Sequence, residues 1–340
     1  NIEFRRKVLS LAYGDRDSQR SLWIASSRDS LFFINTFLFT YDPRRKNCPV
    51  VPFITYPFQD YAILKLVDAV GKNDILIEKS RDMGASWISL FVMMWYFTFR
   101  WLQTFLCVSR KEDIVDKTED PDSLFWKIDF MLNHLPRWMS PIIERSKLHF
   151  LNCQNGSTID GSSTTGDVGR GGRRTSVFLD EFASVDDGHA ALKATRDMTD
   201  SRIFNSTPKG TGNAFYDMTL TDIEKLRFHW SEHPTKSAGL YTAQDGKVVI
   251  LDSAYLFSED FPFVTDGKLR SPWYDWQCKR AAHPMEIAQE LDIDYLGSSF
   301  QFFDPGVIER CKARDCRKPF HSGELLFDQD TLRPTEFVEA

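Results

Sequence analysis

The sequence lacks the patterns that place a chain in several common classes. Its six cysteines are scattered and include no C-x-x-C pair, which favours reduced thiols in a cytosolic protein. The apolar stretch Trp87–Trp101 is shorter than the roughly 20 residues of a membrane span. We therefore predict that this stretch is a helix buried against a sheet.

A strongly basic composition is also missing. The chain has 42 Lys and Arg against 48 Asp and Glu, which gives a net charge of −6. Contact with DNA would therefore require local basic patches, because there is no overall positive field. The seven histidines show no metal-ligand spacing. The chain does contain 42% hydrophobic residues among 340, which is enough for a sizeable core and argues against disorder.

Apolar strands alternate with helices along the middle of the chain. The strand patterns are "DILIEK", "TFLCVS", "TSVFLDE" and "SRIFNST". Continuous apolar strands separated by helices predict an α/β fold with a mostly parallel central sheet flanked by helices. We predict an N-terminal helical arm at 1–45, a core at 46–220, a lid subdomain at 221–310 and a linker at 311–340.

The stretch "EKSRDMGASW" joins a strand to the apolar helix as a phosphate-binding loop does. The usual pattern is G-x-x-x-x-G-K-[ST], but Lys79 stands at its first glycine and Ala85 at its lysine. Gly84 allows close backbone approach, and Ser86 supplies the hydroxyl in the usual place. Arg81 adds a second cation. The pattern alone is weak, and a basic strand-to-helix turn is the alternative.

A strand ending in two adjacent carboxylates makes the nucleotide interpretation stronger. In "TSVFLDEFA" the strand ends at Asp180-Glu181, although neighbouring like charges repel each other. In P-loop NTPases the first carboxylate holds Mg²⁺ and the second polarises the attacking water. A simple strand exit is the alternative for this stretch taken alone.

Three further stretches carry weaker signals. Asn205-Ser206-Thr207 end a strand where parallel sheets bind ligands, although turn chemistry explains the following "PKG" equally well. Arg170, Arg173 and Arg174 lie on a Gly-rich loop that could contact phosphate, and a solvated basic loop is the alternative. Gln59 could match an adenine edge with Phe58 stacked nearby, or could be an exposed residue at a helix start.

In this order, the stretches resemble the ATPase domain of the large terminase subunit, the DNA-packaging motor of tailed bacteriophages. The resemblance rests on "PFQDY", "KSRDMGASW", "GRGGRRTSVFLDEFA" and "NSTPKGTGNAFYD", and on the lid-like "IAQELDIDYLGSSFQFFD". It implies a P-loop NTPase of RecA-like, ASCE type, with 46–220 as the ATPase core. It also implies ATP hydrolysis with Mg²⁺ that drives double-stranded viral DNA into a procapsid.

The resemblance also assigns roles to residues. Glu181, Arg81 and Arg170 are the expected catalytic residues, with Arg170 acting on a neighbouring subunit and Arg173 as its rival. Ser86 and Asp180 are expected to hold the metal, and Asn205, Ser206 and Thr207 to couple hydrolysis to DNA movement. The expected nucleotide-binding residues are Phe58, Gln59, Lys79, Ser80, Arg81, Asp82, Met83, Gly84, Ala85, Ser86 and Trp87.

The family's partners and location follow in the same way. The resemblance implies contact with double-stranded DNA, the portal protein and procapsid, the small terminase subunit and other copies in a ring, and none with a membrane. It implies the host cytoplasm, with transient docking at the portal vertex and no place in the mature virion. The family's C-terminal nuclease domain is not visible in the sequence, so we expect 311–340 to lead towards it and expect no DNA cleavage.

Two other functions remain open from the sequence. A superfamily 2 helicase shares the early Gln, the P-loop and the Asp-Glu pair, but no second RecA domain with an arginine motif follows residue 220. A non-catalytic assembly module with a decayed P-loop would account for Ala85 in the lysine position.

Overall fold

The chain divides into two compact units, 1–299 and 300–340, which are described separately. The computed structural model describes residues 1–164, 172–298, 305–317, 322–328 and 334–339. The second unit contains a helix, Pro305–Asp315, and two strands, Gly323–Phe327 and Pro334–Glu339, which pair antiparallel. Residues 311–340, predicted to be a linker, therefore include the end of a helix and a hairpin.

The helices of the first unit are as follows. They are α1 (Ile2–Ala12), α2 (Arg16–Arg28), α3 (Ser30–Phe37), α4 (Pro57–Ala69), α5 (Ala85–Phe99), α6 (Glu112–Val115), α7 (Leu124–His134), α8 (Gly188–Arg196), α9 (Ala214–Thr219), α10 (Pro272–Arg280) and α11 (Pro284–Ile287). A π-helical turn at Ala288–Asp292 continues α11, and single 3₁₀ turns lie at Phe182–Ser184 and Trp230–Glu232. None of the helices in the described ranges is long and apolar enough to cross a membrane.

The described strands of the first unit form three sheets. They are β1 (Phe39–Tyr41), β2 (Val50–Pro52), β3 (Ile75–Lys79), β4 (Thr104–Ser109), β5 (Ile143–Ser146), β6 (His149–Asn152), β7 (Thr158–Ser163), β8 (Ser176–Asp180), β9 (Arg202–Ser206), β10 (Glu224–Phe228), β11 (Tyr241–Gln244), β12 (Lys247–Ile250) and β13 (Leu269–Arg270). β1 pairs with β2, and β11 lies between β12 and β13.

The large sheet has the order β10-β3-β9-β8-β4-β7-β6-β5. Its strands from β10 to β7 are parallel, whereas β6 and β5 are antiparallel to their neighbours. An additional strand, β9, separates the strand that precedes the P-loop from the strand that ends in Asp180. The predicted α/β class, with its mostly parallel sheet of the P-loop NTPase type, is confirmed.

The helix α5 is apolar on every side because it lies inside the molecule. Only three of its 15 residues escape full burial, and its neighbours include α3, α4 and α7. A helix without a polar face is stable in water only when it is covered all round. The predicted burial against the sheet is confirmed up to Phe99, where the helix ends, whereas Trp101 is exposed. The core on this side also contains Phe33 and Phe37 from α3.

The large sheet extends beyond residue 220, where we predicted the core to end and a lid subdomain to begin. β10 pairs in parallel with β3, so residues up to Phe228 belong to the large sheet. Beyond it, the small sheet β11–β13 and the helices α10 and α11 pack around Trp230, Tyr274 and Leu291. The strand joins the sheet because alternate residues Leu226 and Phe228 are buried against the main core.

The N-terminal helices are held to the core by a buried arginine. Arg5 of α1 is 4% exposed and donates to the carbonyl oxygens of Leu38 (2.8 Å) and Phe53 (2.6 Å). Burial lowers the pKa of its guanidinium to about 10. A buried charge is tolerated here because carbonyl groups surround it.

We predict that Arg5→Met lowers the free energy of unfolding by about 2 kcal/mol, because it leaves buried carbonyl groups without their charged donor. Urea unfolding at neutral pH is the measurement. Arg6→Met is the matched control, since Arg6 is the exposed neighbour on the same helix. Equal midpoints for the two variants would contradict the role given to Arg5.

Candidate nucleotide-binding site

The carboxyl ends of three neighbouring strands place the predicted polar residues at one edge of the sheet. β3 ends at Lys79, β8 at Asp180 and β9 at Ser206, and the strands lie in the order β3-β9-β8. Asp180 is in register with Asn205. Parallel sheets bind ligands at this edge, so the topology itself brings the candidate site together.

The loop between β3 and α5 has a conformation that requires glycine at one point. Gly84 has φ of 80° and caps α5, and Asp82 also has a positive φ of 58°. A Cβ on Gly84 would lie 2.9 Å from Gln59 Nε2. The Gln59 amide donates to the Met83 carbonyl at 3.0 Å, so this side chain supports the loop.

The loop presents a row of free backbone donors. The N–H groups of residues 80 and 81 donate to Phe228 and Glu290 carbonyls, at 2.8 and 2.6 Å. From Asp82 to Trp87, no backbone N–H donates to any acceptor within the described part of the chain. Free N–H groups at the start of a helix, together with the helix dipole, attract phosphate oxygens.

Ser86, Asp180 and Asn205 form a hydrogen-bonded cluster beside the loop, and each carries a side-chain oxygen atom. Ser86 Oγ is 3.0 and 3.1 Å from the two Asp180 carboxylate oxygens, and Asn205 Nδ2 donates to Asp180 and to Ser86 Oγ (3.2 Å). Burial, and then the neighbouring Glu181, raise the pKa of Asp180. Asn205 Oδ1 is buried and has no partner among the described residues.

This cluster fits a magnesium ion. Mg²⁺ takes hard oxygen ligands, and the serine hydroxyl, the carboxylate and the unpartnered amide oxygen are of that kind. A cation would also relieve the electrostatic cost that raises the pKa of Asp180. The described residues contain no cluster of three or more His, Cys, Asp or Glu side chains that would form an alternative metal site.

Lys79 reaches the site from the end of its strand. Its Nζ lies 2.8 Å from Glu181 Oε1, and only 11% of its side chain is exposed. Burial lowers the pKa of Lys79, but the charges of Glu181 and Asp180 outweigh it, so the net pKa is raised. Lys79 is therefore a charged cation beside the phosphate loop. It supplies the positive charge that Ala85, at the usual lysine position of the motif, does not supply.

Arg81 faces the lid. Its side chain is 69% exposed and lies 3.5 Å from Glu290 Oε2 on the π-helical turn. Arg170, expected to act in trans, lies outside the described residues. Its rival Arg173 is exposed, and Arg174 pairs with Asp160 on β7. The structure thus brings Lys79 and Glu181 together, while Arg81 lines the same cavity and pairs with Glu290.

Two predicted nucleotide-binding side chains do not line the cavity. Ser80 is buried, and its hydroxyl donates to the Leu291 carbonyl (2.5 Å) and accepts from the Trp230 N–H (3.0 Å). The Phe58 ring packs against Phe228 and Tyr56. Ser80 therefore connects the end of β3 to the segments of Trp230 and Leu291, and Phe58 packs against the core.

Asn205, Ser206 and Thr207 are buried next to the segment that carries Asp180 and Glu181. Ser206 Oγ accepts from the Ala183 N–H at 3.2 Å, which ties the end of β9 to the turn after Glu181. Thr207 is also buried. Farther on, the Gly210 N–H donates to Ser298 Oγ at 2.9 Å, so this loop contacts the end of the lid region.

A cavity of about 560 Å³ lies over the phosphate loop. Besides the loop and Gln59, it is lined by Arg44, Arg45, Lys127 and His233, none of which the sequence singled out. Lys127 donates to the Asp122 carbonyl at 2.6 Å, and burial lowers its pKa. These side chains come from the β1–β2 loop, the start of α7 and the segment after β10, so no local motif marks them.

Lys236 is a further residue that the sequence did not single out, and it binds carbonyl groups of the loop. Lys236 Nζ donates to the Arg81 and Asp82 carbonyls at 2.6 and 3.1 Å and lies 3.6 Å from Met83 Sδ. It is 7% exposed, and burial lowers its pKa to about 8. Its distance in sequence from the loop leaves no signal in the motif.

Comparison with known families agrees with this geometry. The model of the N-terminal part of the T4likevirus-type terminase large subunit matches residues 76–253. The matched range includes the phosphate loop, the Asp-Glu pair and Asn205. No curated protein sequence matches the chain.

Solved structures similar to this chain include three phage proteins. The HK97 bacteriophage large terminase has 16% identity and a TM-score of 0.46, over 59% of this chain and 43% of that one. The Thermus phage P74-26 large terminase ATPase domain has 15% and 0.47, over 72% and 94%. A large terminase from a thermophilic bacteriophage, in complex with ADP, has 14% and 0.40, over 53% and 47%. The chain thus spans less than half the length of the first and the third of these proteins.

We predict that Gly84→Ala weakens nucleotide binding at least tenfold, because the new Cβ displaces Gln59 and the backbone leaves its positive φ. Gly71→Ala is the matched control: Gly71 has φ of 74° with nothing within 4 Å of its Cβ position. Titration with a fluorescent ATP analogue measures the affinities. Both variants should lose about 1 kcal/mol of stability, and equal affinities would contradict the support given to the loop by Gln59.

Proposed function

This chain belongs to the T4-type family of terminase large subunits, and from that premise we propose that it hydrolyses ATP to move double-stranded viral DNA into a procapsid. The observation that carries the proposal is the pairing of Lys79 with Glu181 beside the free N–H groups of the phosphate loop. A cation, a row of donors and a carboxylate at one place are the parts that phosphoryl transfer to water requires.

The phosphates of ATP bind to the N–H groups between Asp82 and Trp87 in this proposal. The cavity of about 560 Å³ leaves room for the rest of the nucleotide. The γ-phosphate competes with Glu181 for Lys79, because both are anions that the buried ammonium can bind. ATP binding therefore releases the Glu181 carboxylate from its ion pair.

Glu181 becomes the general base when Lys79 turns to the phosphate. Its carboxylate then accepts a proton from the attacking water as the oxygen of that water bonds to the γ-phosphorus. The bond from the γ-phosphorus to the bridging oxygen breaks, and ADP and phosphate leave. The ion pair in the free protein keeps the base occupied until ATP is bound.

Ser86 and Asp180 would hold Mg²⁺ in this proposal. The ion, when bound, neutralises charge on the β- and γ-phosphate oxygens. Asn205 keeps Asp180 oriented through its hydrogen bond, and Ser206 fixes the turn that carries Glu181. The end of β9 therefore has contacts to both the metal site and the base.

Two arginines complete the proposed catalytic set. Arg81 leaves Glu290 on nucleotide binding and offsets charge on the transferring phosphoryl group, since its free-state ion pair is exposed and weak. Arg170 would act on the ATP of a neighbouring subunit in a ring, with Arg173 as the alternative. Stabilisation by such an arginine raises phosphoryl-transfer rates by roughly 10³–10⁵.

The coupling to DNA is proposed through residues 205–207 and the lid. The loop after β9 contacts Ser298 through Gly210, so a shift at the γ-phosphate reaches the lid region through a short path. The proposed partners are double-stranded DNA, the portal protein and procapsid, the small terminase subunit and other copies of this chain. The proposed location is the host cytoplasm, with docking at the portal vertex.

We predict that Glu181→Ala lowers ATP turnover by roughly 10²–10⁴-fold, the contribution of a general base. Its nucleotide affinity should be equal or higher, because Lys79 no longer has to leave an ion pair. Single-turnover hydrolysis and a fluorescent-ATP titration measure the two effects. Asp186→Ala, at an exposed acid on the same segment, is the control. Turnover like that of the wild type would remove Glu181 from the reaction.

We predict that Lys79→Ala weakens ATP binding roughly ten- to a hundredfold, because a charge-assisted contact to phosphate is lost. Lys72→Ala is the control, since Lys72 pairs with Asp68 on the surface. If neither the wild type nor the variant binds nucleotide, the chain is a non-catalytic module. Unwinding of forked DNA by the wild type would favour the helicase alternative.

A further inference from the structure

Lys236 binds the phosphate loop and lies outside the cavity proposed for the nucleotide. Its Nζ donates to the carbonyl oxygens of Arg81 (2.6 Å) and Asp82 (3.1 Å). The next carbonyl, that of Met83, accepts from Gln59 at 3.0 Å. Three consecutive carbonyl groups of the loop are therefore held by side chains from other parts of the fold.

Binding these carbonyl groups sets the direction of the N–H groups that follow them. The described peptide bonds are all trans, and a trans peptide unit is planar, with its C=O and the next N–H pointing to opposite sides. Holding the Arg81 carbonyl thus orients the N–H of Asp82. In the same way, the Asp82 and Met83 carbonyls orient the N–H groups of Met83 and Gly84, which are among the free donors of the loop.

From these contacts we infer that Lys236 is a positioning residue of the nucleotide site, which keeps the phosphate loop in its anion-binding form by fixing the Arg81 and Asp82 carbonyl groups. The inference rests on the proposed function, because it concerns the same nucleotide. Lys236 does not touch the substrate in this arrangement. It acts through the loop, and its positive charge also adds to the attraction for phosphate.

The surroundings of Lys236 are better explained by this role than by packing. Lys236 forms no salt bridge with a carboxylate of the described residues, and its Nζ lies 4.9 Å from the centre of the Trp273 ring. An ammonium without a carboxylate is an unfavourable choice for filling a buried space. Its backbone carbonyl accepts from Ser271 Oγ at 2.6 Å, so the side chain starts from a fixed point at the cap of α10.

The charged groups around Lys236 determine how its proton responds to pH. Burial lowers its pKa to about 8, Asp82 raises it and Arg44 lowers it further. His233 is on its own segment, and the cavity on its lid side is lined by Arg81, Arg280, Glu286 and Glu290. The ammonium is therefore charged below about pH 8 and loses its proton as the pH rises through that value. The loop loses its charged donor over the same range.

The test compares wild type with Lys236→Met, Lys236→Arg and the exposed control Lys247→Met. Affinity for a fluorescent ATP analogue with Mg²⁺ is titrated from about pH 6.5 to about pH 9.5, which brackets the pKa of Lys236, and the melting temperature is measured without nucleotide. We expect at least a tenfold loss of affinity in Lys236→Met at about pH 7, with a melting temperature close to that of wild type. We expect wild type to lose affinity above about pH 8, whereas Lys236→Arg keeps it throughout the titration.

Equal affinities and equal pH profiles of wild type and Lys236→Met would overturn the inference and leave the proposed function intact. No binding by wild type or Lys247→Met would overturn the proposed function and the inference with it. If Lys236→Met melts at a much lower temperature, the comparison of wild type with Lys236→Arg decides. A parallel loss of affinity in these two proteins above about pH 8 would then overturn the inference.

Discussion

The parallel pairing of β3, β9 and β8 is the constraint on which the site depends. It aligns the ends of the three strands, so that Lys79, Asn205 and Asp180 meet although they are far apart in sequence. The pairing is stabilised by strands that are buried on both faces, with α5 covering one of them. Because the sheet fixes the strand ends, the polar residues cannot move apart to relieve the mutual repulsion of Asp180 and Glu181.

That constraint explains why charges are paired in the free protein. Glu181 pairs with Lys79, and Glu290 pairs with Arg81, so both of these cations have an acidic partner in the free protein. Lys79 is buried whereas Arg81 is largely exposed, so only the first pair is a substantial electrostatic interaction. Nucleotide binding becomes an exchange of anions around fixed cations. In the proposed function, such an exchange leaves Lys79 with an anionic partner throughout, so its buried charge is never uncompensated.

The ends of the three strands were predictable from the sequence, because they follow from local patterns. Apolar runs ending in Lys79, Asp180 and Asn205 mark three parallel strands, and the glycine before α5 marks the loop. Lys236 was not predictable, since its role comes from a contact between segments more than a hundred residues apart. A lysine in an irregular stretch has no pattern that distinguishes it from a solvated one.

Side-chain direction was the other limit on prediction from the sequence. The loop motif includes Ser80, but its hydroxyl donates to the Leu291 carbonyl. The Gln59 amide accepts from the Tyr56 N–H at the cap of its own helix and donates to the Met83 carbonyl. A motif gives positions along the chain, whereas the side of the loop on which a group lies depends on neighbours that come later. The same applies to Lys127, which reaches the cavity only because α7 packs beside α5.

The move of the lysine from the helix to the strand end changes what determines its aim. In β3, Ile75 and Ile77 face the core that contains α5, so alternation puts Lys79 on the α5 side. Glu78 is on the other face, where its carboxylate accepts from the Tyr295 hydroxyl at 2.8 Å. A slip of one residue in the register of β3 would exchange the cation for this acid. The lysine is therefore aimed by the packing of the whole sheet, whereas a lysine at the start of a helix is aimed by the loop alone. Lys236 also holds its charge in an unfavourable place, because burial lowers the pKa of its ammonium to about 8. Both lysines thus depend on a core that is stable enough to hold a charge where phosphate binding requires one.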